Sequence, residues 1–289
     1  MSDPFIGSEA IAAGDLDKSA LRRRYTRLFP DVYVPASAEP TAQDLARAGW
    51  LWSGRKAVIA GRSAAALHGA QWIDADLPVD LLHQNRNRIP GIVVRGDRLG
   101  DNEVQLLNGM PVTTPLRTAL DLACWYRRHT ALASLDALAR ATSIDPADVL
   151  LLADQYSGRR GIRAARTNLS LVDGGSQSPK ETWLRLLLID AGLPRPRTQI
   201  PICDEFGKEI AYLDMGWDDI MVAVEYDGEQ HRIDRWQYAW DSRRREMLER
   251  LGWIVVRVLA GDRPADIIDR VRAAIARRAS LQGHGRRSA

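Results

Sequence analysis

The sequence predicts an α/β protein of the α+β kind, built in two parts, and three observations carry that prediction. Near the N-terminus a helical run, a glycine turn, a basic helix and a short apolar strand follow one another, the order of a winged helix-turn-helix. Residues 76–172 then mix short strands with helices. Beyond the polar stretch Asp173-Gly174-Gly175-Ser176-Gln177-Ser178, apolar patterning gives helix, strand, strand, turn, long helix, strand and helix, the order of a mixed sheet with helices on its flanks. The expected divisions are 1–75, 76–172, 173–280 and a flexible tail at 281–289, and 289 residues suffice for two domains of ordinary size.

In chain order, the run Gly7-Ser8-Glu9-Ala10-Ile11-Ala12-Ala13 is helical and ends at Gly14, a residue suited to a C-cap. Asp17 suits an N-cap, so a second helix starts there and carries Arg22, Arg23, Arg24 and Arg27. The segment from Leu28 to Pro35 reads as a strand or wing, and Thr41 caps a helix over about 41–53. Gly61-Arg62-Ser63-Ala64-Ala65-Ala66-Leu67-His68-Gly69 is a further short helix. Val79-Asp80-Leu81-Leu82 and Gly91-Ile92-Val93-Val94-Arg95 read as strands. Thr114 then caps a helix whose first position is Pro115, where the missing N–H costs nothing. Helices are expected at about 130–141, 145–156, 161–170, 179–192, 234–251 and 264–278, with a strand at 253–258.

Bulk properties exclude some classes. No apolar run approaches the roughly 18 residues of a membrane span, and the N-terminus lacks the pattern of a secretory signal. Cys124 and Cys203 fit no metal spacing and read as two small buried residues in a reducing compartment, so the cytoplasm is the expected location. Residues 1–172 carry 21 Lys and Arg against 18 Asp and Glu, and residues 173–289 carry 19 of each. Binding to nucleic acid must therefore come from local clusters of arginine, not from bulk charge.

The chemistry concentrates in Val222-Ala223-Val224-Glu225-Tyr226-Asp227-Gly228-Glu229-Gln230-His231, an apolar strand running into two acids, a glycine and a histidine. Asp214 ends a shorter strand-like run, Ile210-Ala211-Tyr212-Leu213, and a hairpin sets it beside Glu225. Asp227 follows Glu225 by two residues and shares its strand face. Three carboxylates at neighbouring strand ends suit Mg²⁺ or Mn²⁺, hard cations that take oxygen ligands and keep several waters. His231 lies within reach as a general base, its ordinary pKa being close to operating pH, and Glu181 is an auxiliary acid. The same acids also suit plain turn and strand-end positions, since Asp-Gly is a common turn dipeptide.

Residues from about 179 to 258 resemble a family of uncharacterised domains similar to very-short-patch-repair endonucleases, within the PD-(D/E)xK nuclease superfamily. Glu181, Leu184, Leu186-Leu187-Leu188, Gly192-Leu193-Pro194 and Gln199 carry the resemblance first. Leu213-Asp214, Val224 to His231, Asp241, Arg244, Leu248, Gly252-Trp253 and Val256-Arg257 complete it. It implies a restriction-endonuclease-like, four-stranded mixed sheet flanked by helices, with the metal at the strand ends. One position departs from the superfamily pattern: Asp227 stands where a lysine is usual, and the repair-endonuclease branch, which uses histidine instead, favours His231. The first 70 or so residues resemble the winged-helix domain of AbiEi-type antitoxins, through Phe5, Ala10, Leu21-Arg22-Arg23, Val32-Tyr33-Val34 and the run from Gly61 to Gly69. That second resemblance implies DNA binding.

The leading expectation is a Mg²⁺- or Mn²⁺-dependent endonuclease, with Asp214 and Glu225 as ligands, Asp227 assisting, His231 as base and Glu181 as auxiliary acid. Arg22, Arg23, Arg24 and Arg27 are the expected DNA contacts of the basic helix, and Arg243 and Arg244 those flanking the nuclease channel; both sets equally suit solvated helix faces. The alternative is a DNA-binding regulator or antitoxin-like protein with a catalytically silent nuclease fold, which the missing lysine favours. DNA is the expected partner, a homodimer is one candidate assembly, and a membrane is not expected.

Overall fold

The computed structural model describes residues 3–84, 89–203, 206–228 and 235–285, with the backbone alone at 235–242 and 281–285. Its chain divides into two compact units, Met1–Gly174 and Gly175–Ala289, and the division falls inside the polar stretch that begins at Asp173.

The first unit opens with β1 (Phe5–Ile6), α1 (Gly7–Ala12), α2 (Lys18–Arg24), β2 (Tyr25–Phe29) and β3 (Val32–Pro35), and its three strands pair in the order β1-β3-β2. Gly14, at φ 80°, turns the chain between the helices, and the Asp17 carboxylate caps α2 by accepting from the Ala20 N–H at 2.6 Å. The helix is expected to continue through Arg27 but stops at Arg24, where Tyr25 takes extended φ/ψ. Tyr25 and Thr26 favour strand, Tyr25 packs edge-on against Phe5 with ring centroids 5.0 Å apart, and β2 pairs antiparallel with β3. Arg27 therefore stands on a strand and not on the helix.

Helix α3 (Ala42–Trp52) starts with a capping box between Thr41 and Asp44. Then come β4 (Val58–Ile59), α4 (Gly61–Leu67), β5 (Val79–Leu82), β6 (Ile92–Arg95), β7 (Val104–Leu107) and β8 (Met110–Thr113). These five strands form one mixed sheet in the order β6-β5-β4-β8-β7, with β5 parallel to β6 and β4 parallel to β8. The middle strand, β4, comes from the first 75 residues, and a single core runs from Phe29 and Val32 through Ala46 and Ile59 to Leu81 and Val112. Four helices follow: α5 (Pro115–Trp125), α6 (Arg128–Thr142), α7 (Pro146–Asp154) and α8 (Ile162–Leu169). Helix α5 packs against α4, α6, α7 and α8, and every residue from Arg117 to Ala123 is buried.

The second unit comprises α9 (Pro179–Asp190), β9 (Arg197–Cys203), β10 (Glu209–Trp217), β11 (Val222–Asp227), α10 (Arg235–Arg250), β12 (Ile254–Leu259) and α11 (Pro264–Gly285). Its sheet has the order β12-β11-β10-β9, antiparallel except for the parallel pair β11 and β12. Met215, Val224 and Val258 pack with Leu184 of α9 and Val271 of α11. Leu213 and Ala223 pack instead with Leu248 of α10 and Trp253. Leu213 and Met215 are two apart on one strand yet join opposite clusters, so β10 turns over at Asp214. The neighbouring strand there holds Gln199 at φ 48°. Strand β10 is longer than its sequence suggests, which puts Asp214 inside the strand and not at its end.

Among the described residues, no helix is long and apolar enough to cross a membrane.

Candidate functional site

Antiparallel pairing of Met215 with Val224 brings the next residues along, Asp214 and Glu225, next to each other on adjoining strands. Glu225 is 7% exposed, and Arg244 of α10 grips it with both ends of its guanidinium. The Arg244 Nη1 donates to Oε2 at 3.0 Å and Nη2 to Oε1 at 2.5 Å, while Nη2 also donates to the Tyr212 carbonyl at 2.7 Å. Such a planar fork is the strongest ion-pair geometry a carboxylate finds in a protein. One oxygen of Asp214 accepts from the Tyr226 N–H at 2.9 Å. Glu181 serves the start of α9: its oxygens accept from the Ser178 hydroxyl at 3.0 Å and the Gln177 N–H at 2.8 Å, while Ser178 caps the Glu181 N–H in return. Asp227 is half-buried at the last position of β11, in register with Leu259. His231 lies outside the described residues.

Burial pushes the Asp214 carboxyl up to about 7, the negative charge of Glu181 adds to the rise, and Glu225 contributes further in the same direction. The Tyr226 N–H and the Arg244 charge oppose it. Asp214 thus senses both other acids, and β11 does place Glu225 and Asp227 on one strand face. As arranged, however, they do not fit a divalent cation. Both oxygens of Glu225 are held by Arg244, those of Glu181 by the helix cap, and one of Asp214 by an amide. Among the described residues no three His, Cys, Asp or Glu side chains gather as a metal-binding group.

The arginines expected at DNA divide in a similar way. Arg22, Arg23 and Arg24 are exposed on α2, and Arg27 is exposed on β2 just beyond it, while Leu21 is buried and ties the helix to its unit. The Arg23 guanidinium touches Ser19 Oγ at 2.8 Å, one turn back. Arg243 is exposed; Arg244, one residue further along α10, is turned inward to Glu225.

A second polar assembly, in residues 76–172, has no counterpart among the sequence expectations. Arg117 on α5 has no exposed side-chain surface; it pairs with Asp121 at 2.8 Å, bonds Glu103 and donates to the Arg98 carbonyl at 2.7 Å. Arg159 bonds the same Asp121 at 2.6 Å and Asp97 at 3.0 Å, and the Tyr156 hydroxyl reaches both oxygens of Glu103 at 2.7 Å. Asp80 is also buried, bonded by the Tyr126 hydroxyl and, at 3.1 Å, by the Arg62 N–H, and burial pushes its carboxyl up. The only hint in the sequence is the four-residue spacing of Arg117 and Asp121, which ordinarily marks an exposed helix pair. His68 is packed, its Nε2 at 2.7 Å from the Thr113 carbonyl, so that nitrogen carries the proton.

Comparison with known proteins adds the following. Residues 56–171 match the family described as AbiEi antitoxin C-terminal domain. Two relatives from Mycobacterium tuberculosis, Uncharacterized protein MT2308 of strain CDC 1551 and Uncharacterized protein Rv2248 of strain H37Rv, are each 31% identical over 247 residues. The aligned part covers 86% of this chain and 90% of theirs. No solved structure matches the chain. The antitoxin likeness expected on the first 70 residues therefore lies mostly further along. It begins at residue 56, takes in the run from Gly61 to Gly69, and includes the buried assembly around Arg117. The nuclease resemblance of residues 179–258 gains no support from the comparisons.

Proposed function

Because the chain belongs to the family of these mycobacterial proteins and carries an AbiEi antitoxin C-terminal domain, we propose that it is a DNA-binding regulator of the antitoxin type whose nuclease-like sheet does not cut. The match over residues 56–171 is the observation that carries this reading. The exposed Arg22, Arg23 and Arg24 support it, since α2 is the second helix of a helix-turn-helix order, the one such a motif presents to the major groove, and Arg27 lies just beyond them on β2. Arginine forks bind phosphate and the guanine edge, giving position from the first and sequence from the second. The grip of Arg244 on Glu225 supports silence of the sheet, because that acid is committed to an internal ion pair.

The test of DNA binding is a fluorescence anisotropy titration of duplex DNA from upstream of the protein's own gene, over a range of salt. Replacing Arg22→Ala and Arg23→Ala together is expected to weaken binding about tenfold or more and to lower the salt slope by about 2, roughly 0.9 for each lost phosphate contact. A wild-type protein with no duplex affinity at low salt, or a variant that binds as well as wild type, contradicts the proposal.

One observation favours the other reading, a Mg²⁺- or Mn²⁺-dependent nuclease. Asp214 is raised to about 7 partly by the charges of Glu181 and Glu225, and a cation in their midst relieves that kind of repulsion. It requires Arg244 to release Glu225 first.

A further inference from the structure

In the second unit, a groove of about 840 Å³ runs along β12, the edge strand of the sheet, between α10 and α11. Among the described residues, five arginines line it: Arg245 from α10, Arg257 from β12, and Arg270, Arg277 and Arg278 from α11. Two carboxylates face them, Glu225 and Glu249, and Glu225 is already neutralised by Arg244. Trp253, Ile254 and Val255 supply an apolar floor.

The arginines fall into two sets. Arg270 holds Asp262 and donates to the Arg257 carbonyl at 3.0 Å, and Arg278 bonds the Gly252 carbonyl. These two have structural work. The side chains of Arg245, Arg257 and Arg277 make no hydrogen bond or ion pair to the described residues, and they come from three different elements around one opening. Like charges are brought together at such a place only at a cost in repulsion, which a polyanion reverses.

An exposed edge strand can also accept an extended peptide as an added strand. Here the edge is closed at its ends. Arg278 occupies the Gly252 carbonyl, Arg270 the Arg257 carbonyl, and Asp262 accepts from the Leu259 N–H at 3.0 Å. What remains open is too short for a ladder, and capping of this sort is how sheets avoid edge pairing. A duplex is too wide to enter a groove of this volume. Successive nucleotides of a single strand suit it, with phosphates on guanidinium forks and bases over the apolar floor.

The geometry points to a second nucleic-acid site, in which Arg245, Arg257 and Arg277 hold the phosphate backbone of a single strand in the groove along β12. It is independent of the α2 arginines and adds a ligand class to the proposed regulator.

The test uses the full-length protein and a labelled oligodeoxythymidylate of about 12 nucleotides, near the upper site size of a single-strand groove. Wild type is expected to bind it at about 50 mM salt, and Arg245→Ala with Arg257→Ala and Arg277→Ala to bind about tenfold more weakly, with the salt slope lowered by about 2. Arg257 is half-buried, so the double variant Arg245→Ala with Arg277→Ala, confined to exposed residues, guards against a folding defect and is expected to give about two-thirds of the slope change. Arg22→Ala with Arg23→Ala is expected to leave oligodeoxythymidylate binding unchanged, so failure of the regulator proposal and failure of this one are separable. The inference is overturned by absence of wild-type binding, by equal affinity in the triple variant, by displacement of the oligonucleotide by polyglutamate at equal charge, or by a triple variant that loses duplex and single-strand binding in the same proportion.

Discussion

Glu225 is buried, and Arg244 answers it with two hydrogen bonds. Removing one partner of such a pair leaves the other charged and enclosed. Arg244→Ala is expected to destabilise the second unit by about 3 kcal/mol in urea unfolding, and Arg244→Met with Glu225→Gln together to recover most of that loss. Asp214 gives a pH dependence of definite sign. Its folded-state pKa, about 7, lies above the unfolded value, so between about pH 4 and pH 7 the folded chain holds a proton that the unfolded chain has released. Stability from this group is full below that window and declines as pH rises through it. Asp214→Asn is expected to flatten the decline and to raise stability above pH 7 by on the order of 2 kcal/mol, read from urea midpoints across the range. The acids themselves are legible in the sequence, because an apolar strand running into Glu225, Asp227 and Gly228 is conspicuous. The inward turn of Arg244 is not. Arg243-Arg244-Arg245 reads as one basic patch, yet successive helical residues point about 100° apart, and that angle alone turns the middle one to the sheet.

Helix α5 shows how an element can hide its main feature. Its cap at Thr114 and its start at Pro115 follow from the sequence, and so do its apolar positions. Burial of Arg117 does not, because an arginine four residues before an aspartate is ordinarily a solvated pair, and nothing local announces that four helices surround α5. Glu103 and Asp121 both depend on that guanidinium, so Arg117→Ala is expected to cost about 3–5 kcal/mol and to lower the melting temperature of the first unit markedly. A change within experimental error shows instead that Arg159 and Tyr156 suffice. The β7–β8 hairpin is the opposite case. No strand is expected over residues 104–113, although Asn108-Gly109 is the strongest short hairpin signal, and the structure gives both residues positive φ. Pro111 obscures it, since proline inside a sheet ordinarily argues against a strand. Strand β4 has only two residues and carries no periodicity to read.

At the scale of the whole molecule, the two units have separate sheets and separate cores, and the proposed roles divide with them. The first joins exposed basic residues of α2 and β2 to the region that matches the AbiEi antitoxin C-terminal domain; the second holds a sheet whose central acid is occupied from within. Helix and strand order in the second unit is legible from apolar periodicity, because its strands are long and its helices well separated. The first unit is harder, since its five-stranded sheet takes β4 from before residue 75 and the rest from after it, and a pairing between distant short strands leaves no local trace. The claim that binds these parts together is that the protein holds DNA without cutting it. Supercoiled plasmid incubated with the full-length protein in Mg²⁺ and, separately, in Mn²⁺ tests it most directly, with binding followed by gel shift and strand scission by agarose electrophoresis. Retarded but intact supercoiled DNA under both metals is the result expected; metal-dependent nicking by wild type that disappears in Asp214→Ala and Glu225→Ala contradicts it.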